Sequence, residues 1–299
     1  MHTNYLAEVA TEAATGETAR IFEEIRRLSG TPLVALIYRH LATMPGALEA
    51  VWRSVAPLMV TGELQERAWE IARNAWTGPV PPASDGVRGM RPVSLAFAID
   101  VIDAYNRSNP INYMIVSVIR AAHAEPGATR VAAADAANSR AAPARPWAPP
   151  TRIASIAIIP SIEALSARCR AQVDGFSKSA GPGEPVLVPT LYRHLGHWPA
   201  LLSMTAREVR PRLTNGDFEP AIRAFREASG RAATELAQRH AIAAIPQLAT
   251  PRMTGVFDRF SQVIPEMVVV GSFLRRILDK VQVHGPADAG KIVPVKSHR

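Results

Sequence analysis

The chain is poor in the residues that usually staple, metallate or anchor a protein. Its 299 residues contain one cysteine, Cys169, so an internal disulfide is excluded. Arg168 and Arg170 beside it would favour a thiolate, yet no base is near in sequence, and a plain helix residue is expected there. Aromatic residues are 6% of the total, and no uncharged apolar run approaches the ~18 residues that read as a membrane span. Met1-His2-Thr3-Asn4-Tyr5 shows no basic stretch leading into an apolar core, so no secretory signal is read and a reducing, cytoplasmic setting is expected. HExxH, CxxC and clustered carboxylate ligands are missing, which speaks against a metal site. GxSxG, the phosphate-binding GxxxxGK motif and a GxGxxG after a strand are missing too, which speaks against an α/β-hydrolase, a P-loop protein and a dinucleotide-binding enzyme.

The formal net charge of +8 invites a nucleic-acid reading, but the arginines are scattered, no Lys/Arg block occurs, and aromatics for base stacking are few. Solvated helix faces in an Ala/Arg/Pro-rich chain explain the excess. Neither nucleic acid nor membrane is expected as a partner, while a mild preference for small anions stays open.

What is present is a sequence that repeats itself. Tyr38-Arg39-His40-Leu41 recurs about 154 residues later as Tyr192-Arg193-His194-Leu195. The same offset carries Pro45 onto Pro199, Leu48 onto Leu202, Arg53 onto Arg207, Pro57 onto Pro211 and Gly62 onto Gly216. One residue of drift later, Val101-Ile102-Asp103-Ala104-Tyr105 matches Val256-Phe257-Asp258-Arg259-Phe260, and Pro110, Ser117 and Arg120 match Pro265, Ser272 and Arg275. Two copies at so long a period are not a solenoid. A pseudo-twofold pair, like a homodimer whose subunits were joined, fits better, and a fused pair can build an asymmetric pocket where its halves meet.

Apolar residues at three- and four-residue spacing, with abundant Ala, Leu, Arg and Glu, predict an all-α fold. A first helix starts near Thr15–Thr18 with Ile21, Ile25 and Leu28 on one face, and others follow around 33–43, 46–60, 63–76, 93–108 and 110–124. In the second copy, helices are expected near 161–174, 188–197, 199–213, 217–240, 253–263 and 265–283. Thr77 to Pro92 reads as a loop, and the Pro/Ala-rich stretch after Val131 reads as a linker. The expected organisation is a first helical repeat over 1–130, a linker over 131–155, a second repeat over 156–285 and a frayed tail over 286–299.

The most polar-decorated stretch between two apolar runs is Tyr105 to Tyr113. Proline biases its predecessor away from helix, so one helix is expected to stop near Asn109, which then caps a new helix with Pro110 at its first position. Such an N-terminus would attract a carboxylate or phosphate. Copy two repeats the corner at Ile264-Pro265 with apolar residues in place of the asparagines, so a polar and a greasy version of one corner would face each other. His40 and His194 sit in apolar surroundings and read first as satisfied interior groups.

The duplicated unit, Thr15-Gly16-Glu17 ahead of Ile21 to Arg26, Leu41-Ala42-Thr43-Met44-Pro45-Gly46, Trp52-Arg53-Ser54, the Asn106-x-x-Asn109-Pro110 corner and Thr254-Gly255-Val256 together resemble the group I 2-haloacid dehalogenases. The resemblance implies an all-helical pseudo-dimer with one active site between its repeats and no metal or organic cofactor. It also implies direct displacement of halide from C2 by an aspartate-activated water, without a covalent enzyme ester.

Carried over residue by residue, the resemblance puts the family's pocket asparagine on Asn109, its pocket tyrosine on Asn112, and its apolar wall on Phe260, Val263, Ile264 and Met267. Its entrance tryptophan falls on Leu33. Its catalytic aspartate falls on Leu191, after Pro189 and Thr190, and Ile37 is the matching residue in copy one. Leucine takes no proton from water. His194, one turn later, is the candidate replacement base, and Glu184 would serve only if the loop is shifted in register. Two readings follow: a 2-haloacid dehalogenase-like hydrolase with a relocated base, or a dehalogenation-incompetent relative that binds or converts another small carboxylate. An interaction module is a third and weaker reading, and association of two chains into a homodimer is left open.

Overall fold

The computed structural model describes residues 4–124, 147–179, 181, 183–242 and 244–283. Among the described residues the protein is all-α. Its helices are α1 (Gly16–Ser29), α2 (Leu36–Leu41), α3 (Ala47–Thr61), α4 (Glu63–Ala72), α5 (Asp85–Arg88), α6 (Pro92–Ala124), α7 (Ala167–Asp174), α8 (Thr190–Leu195), α9 (Pro199–Asn215), α10 (Glu219–Arg239) and α11 (Pro251–Val283). Extended pairing is confined, among these residues, to the single bridges Tyr5 to Val186 and Lys178 to Leu187. No described helix is long and apolar enough to cross a membrane.

Local chemistry sets the helix ends. α1 buries Ile21, Phe22, Ile25 and Leu28 and stops at Gly30, whose left-handed φ of 69° lets its N–H reach the Arg26 carbonyl. Thr15 stands at the start of α1 but its side chain makes no capping bond. The expected 77–92 loop contains the one-turn helix α5, and the linker expectation lies outside the described residues as far as residue 146. Residues 147–155 carry no helix and pack rather than span: Trp147 donates to Glu66 at 2.9 Å, and the Arg107 guanidinium donates to the Thr151 hydroxyl at 2.8 Å. The tail beyond 283 also lies outside the described residues.

α6 is buried around nearly its whole circumference, with Val101, Ala104, Tyr105, Asn109, Asn112, Val116 and Val118 all shielded. An all-round apolar helix belongs in the centre of a core, and α6 packs along α11, α10 and α4. At the α6–α11 crossing Asn106 donates to the Gly271 carbonyl at 3.2 Å, and a Cβ at Gly271 would intrude on Asn106 Oδ1. Two ion pairs cross the same interface: Arg275 to Asp103 at 2.8 Å, and Arg120 to Asp258. The repeat offset maps one pair onto the other.

The expected break at Asn109 does not occur. α6 runs through Pro110 as α11 runs through Pro265. An interior proline removes one intrahelical donor and pushes carbonyls of the preceding turn outward. Here the carbonyl three residues before each proline finds another partner: Trp69 Nε1 donates to Arg107 O at 2.9 Å, and Arg226 donates to Gln262 O at 3.1 Å. Burial of the flanking turns then holds the helix together. The expected anion site at a helix start beside Asn109 is therefore absent.

The N-terminal segment ties the two YRHL helices. Glu8 accepts from Arg39 and Arg193 at 2.8 Å each, Val9 N–H donates to Arg39 O at 2.9 Å, and Leu6 N–H donates to Val186 O at 2.9 Å.

Candidate functional site

Between α2, α6, α8 and α11 lies a cavity with ≈ 40 Å³ of room for the centres of water-sized atoms, several times the ~10–15 Å³ that one water needs. α6 contributes Tyr105, Asn109 and Asn112, and α11 contributes Phe260, Val263, Ile264 and Met267. Spacings of three and four residues put each set on one helix face. The repeat offset pairs Tyr105 with Phe260, Asn109 with Ile264, and Asn112 with Met267. One face is polar and its counterpart is apolar, as the sequence suggested. The remaining wall pairs in the same way: Ala35, Leu36 and Ile37 on one side, Pro189, Thr190 and Leu191 on the other, with Leu187 beside them.

The structure thus brings eight of the sequence-predicted residues together: Asn109, Asn112, Thr190, Leu191, Phe260, Val263, Ile264 and Met267. Leu33 is not among the lining residues. It is buried, 4% exposed, in the core ahead of α2, where its N–H is held by the Thr31 hydroxyl. Glu184 is exposed and does not line the cavity. Sequence reasoning missed Tyr105, Ala35, Leu36, Ile37, Leu187 and Pro189 as walls. Applying the repeat offset to Thr190, Leu191 and Phe260 points to Leu36, Ile37 and Tyr105.

His194 stands behind the cavity rather than in it. It is fully buried, its Nε2 is 2.7 Å from the Ala157 carbonyl, and its Nδ1 is 3.4 Å from the Tyr105 hydroxyl. The carbonyl requires a hydrogen on Nε2, which leaves Nδ1 as acceptor. Burial depresses its pKa to about 4, against a smaller opposing effect of the Ala157 bond. Tyr105 also bonds Thr190, and burial pushes its pKa up to about 12, so its hydroxyl stays protonated. His40 repeats the arrangement opposite Phe260, with ring centroids 6.5 Å apart and Nδ1 2.7 Å from the Ala7 carbonyl.

Among the described residues no ionisable acid or base lines the cavity other than the Tyr105 phenol. Leu191 is 1% exposed and Ile37 is 3% exposed, so the wall opposite the asparagines is aliphatic on both sides. What the cavity offers is hydrogen-bond donors. The Nδ2 groups of Asn109 and Asn112 are buried without any partner among the described residues. Behind Tyr105, Arg39 and Arg193 share Glu8, and both arginines act on the Tyr105 phenol electrostatically. This leaves one positive charge in excess next to the cavity. Among the described residues no cluster of three His, Cys, Asp or Glu side chains could hold a metal ion.

No protein-family model matches this chain, and no curated protein matches it. Solved structures do. A D-2-haloacid dehalogenase mutant matches with a TM-score of 0.58 at 17% identity, covering 94% of this chain and 97% of that one. A complex of a D-2-haloacid dehalogenase mutant with D-2-CPA matches with a TM-score of 0.57, and a D-2-haloacid dehalogenase complex with L-LA with 0.59, at the same identity and coverage. Over nearly its full length, the chain shares the all-helical fold of the D-2-haloacid dehalogenases.

Proposed function

We propose that the cavity binds a short 2-substituted carboxylate, with its carboxylate oxygens on the Asn109 and Asn112 amides and its 2-substituent against Phe260, Val263 and Met267. The observation that carries this reading is the pair of buried, unpartnered amide donors facing an apolar wall. A buried carboxylate needs such donors, because an ion taken out of water without them costs several kcal/mol. The excess positive charge of Arg39, Arg193 and Glu8 adds favourable potential. The protein is read as a pseudo-twofold pair whose matching faces have diverged, which the mapping of one cross-helix ion pair onto the other supports.

In this reading the protein binds its ligand without hydrolysing a carbon–halogen bond, because Leu191 and Ile37 supply no base. Loss of a general base forfeits ~10²- to 10⁴-fold in rate. A second reading keeps hydrolysis: the attacking water gives its proton to the Tyr105 oxygen while Tyr105 passes its own to His194, the water oxygen bonds C2 and halide leaves; the 3.4 Å contact between Tyr105 and His194 favours it. The first is preferred, since a histidine whose pKa is about 4 is a weak base at neutral pH.

The test is halide release from racemic 2-chloropropionate, beside calorimetric binding of propionate. The parent is expected to bind propionate and release no halide, and Leu191→Asp to gain release. Halide release by the parent that disappears in Tyr105→Phe and His194→Gln would establish the second reading. Failure of the parent to bind propionate would refute both.

A further inference from the structure

Leu191 faces the cavity described above, and the next residue, Tyr192, points ~100° further around α8 into a different one. This second cavity, ≈ 320 Å³, lies between the C-terminal end of α7, residues 175–178 and the last turns of α9. Tyr192 is 1% exposed and stacks on Phe176 with ring centroids 3.7 Å apart, yet its hydroxyl has no partner among the described residues. Burial, with Glu266 nearby, holds the phenol protonated, so it is a donor waiting for an acceptor.

The other polar groups are cationic or neutral. Arg210 lies against Gly175, where a Cβ would come within 2.7 Å of its Cζ, and its guanidinium has no hydrogen bond or counter-ion among the described residues. Lys178 lines the cavity and is paired with Glu266 at 2.9 Å, and Thr214 stands at the rim. Among the described residues no carboxylate lines the space.

Two helices end here, and free C-terminal carbonyls would explain an arginine without any ligand. Four of the carbonyls at these two ends are already taken. Ala171 O accepts from Gly175 N–H, Val173 O from Phe176 N–H, Asp174 O from Ser177 N–H and Oγ, and Arg212 O from Gly216 and Asp217 N–H.

From this we infer that the cavity behind Tyr192 is a second binding site, for inorganic phosphate or a small phosphomonoester held by the Arg210 guanidinium and the Tyr192 hydroxyl. An unpaired guanidinium beside a buried hydroxyl donor, with no acid on the walls, suits an oxyanion with several acceptor oxygens.

The test is titration of the full chain with inorganic phosphate at low ionic strength, followed by calorimetry and by the shift in thermal midpoint. The parent is expected to bind phosphate, Arg210→Gln to weaken it ~10-fold or more, and Tyr192→Phe to weaken it several-fold while the fold is retained. Asn109→Leu, which alters only the first cavity, is expected to leave phosphate affinity unchanged. The proposal is overturned if the parent shows no saturable phosphate binding. It is equally overturned if Tyr192→Phe and Arg210→Gln bind as the parent does, or if Asn109→Leu abolishes binding and so assigns the phosphate to the first cavity.

Discussion

Replacing Asn109 by leucine is expected to stabilise the protein and to weaken its ligand binding in the same molecule. Asn109 is 8% exposed and its Nδ2 has no partner among the described residues. A buried donor left unsatisfied costs about 1–3 kcal/mol. Leucine removes that cost, suits a helix interior better than asparagine, and has ≈ 40 Å³ of adjoining space to accept its slightly larger bulk. The expected gain is therefore about 1–3 kcal/mol. For a chain of this length ~1 kcal/mol moves the melting midpoint by about 2 °C, so Asn109→Leu should melt roughly 2–6 °C above the parent. A hydrogen bond to a carboxylate contributes about 1.5–3 kcal/mol, so propionate binding should weaken by roughly 10- to 150-fold. Calorimetric melting with and without propionate reads both quantities: the variant gains in the absence of ligand, and the added increment that propionate gives the parent is lost. A variant that melts below the parent would show that the amide is satisfied in the folded protein. Undiminished propionate binding would show that the ligand sits elsewhere.

Other expectations follow from the groups around the cavity. Glu8→Gln leaves Arg39, which is 3% exposed, without its counter-charge, and should destabilise by about 3–5 kcal/mol; adding Arg39→Met should restore most of that in urea titrations, and an unshifted midpoint for the single variant would mean that the arginine is hydrated. His194 has its pKa lowered from 6.5 to about 4 by burial, so between those values the unfolded chain holds the extra proton. Its contribution is therefore complete above pH 6.5 and lost as pH falls toward 4, by about 3 kcal/mol at most. His194→Gln should flatten the stability profile across that window, and an unchanged slope would assign the acid sensitivity to other groups. Gly271→Ala should cost about 1–3 kcal/mol by displacing Asn106. Gly271→Ala with Asn106→Ala should recover part of the loss, whereas additive losses would place the strain somewhere other than that contact.

Much of this architecture was legible because periodicity reports burial. α1, α3, α9 and α10 fall within a few residues of their expected bounds, since each buries a clear apolar stripe and three of them end at a left-handed or capping glycine or start at proline. The helix break at Asn109 was misread for a tertiary reason. A local rule about the residue before proline was overridden by Trp69, which takes up the Arg107 carbonyl of the distorted turn from another helix, as Arg226 takes up the Gln262 carbonyl at the matching turn of α11. Nothing within the Asn109 segment announces those partners. His194 was misplaced for a similar reason: one helical turn from Leu191 keeps it near the site, but Tyr105, from another helix, comes between it and the cavity. The polar and greasy faces, by contrast, were readable from the repeat alone, because equivalent positions on α6 and α11 meet around one space.

That pairing also bears on why the asparagines are there. Ile264 and Met267 occupy the positions on α11 that Asn109 and Asn112 occupy on α6, and both are buried at 6% and 5% exposure. The same cavity therefore accepts apolar side chains at these positions without a break in either helix. Two unpartnered amides together cost about 2–6 kcal/mol, a large share of the 5–15 kcal/mol by which a typical domain is stable. An apolar alternative that fits is displayed by the other half of the molecule. The amides are consequently poor choices for folding alone, and good choices only when something with acceptor atoms fills the space between them. Leu191 and Ile37 close off the chemistry of a carboxylate base, but they leave that acceptor's place intact. The polar face thus supports the proposed carboxylate ligand without drawing on any likeness in fold.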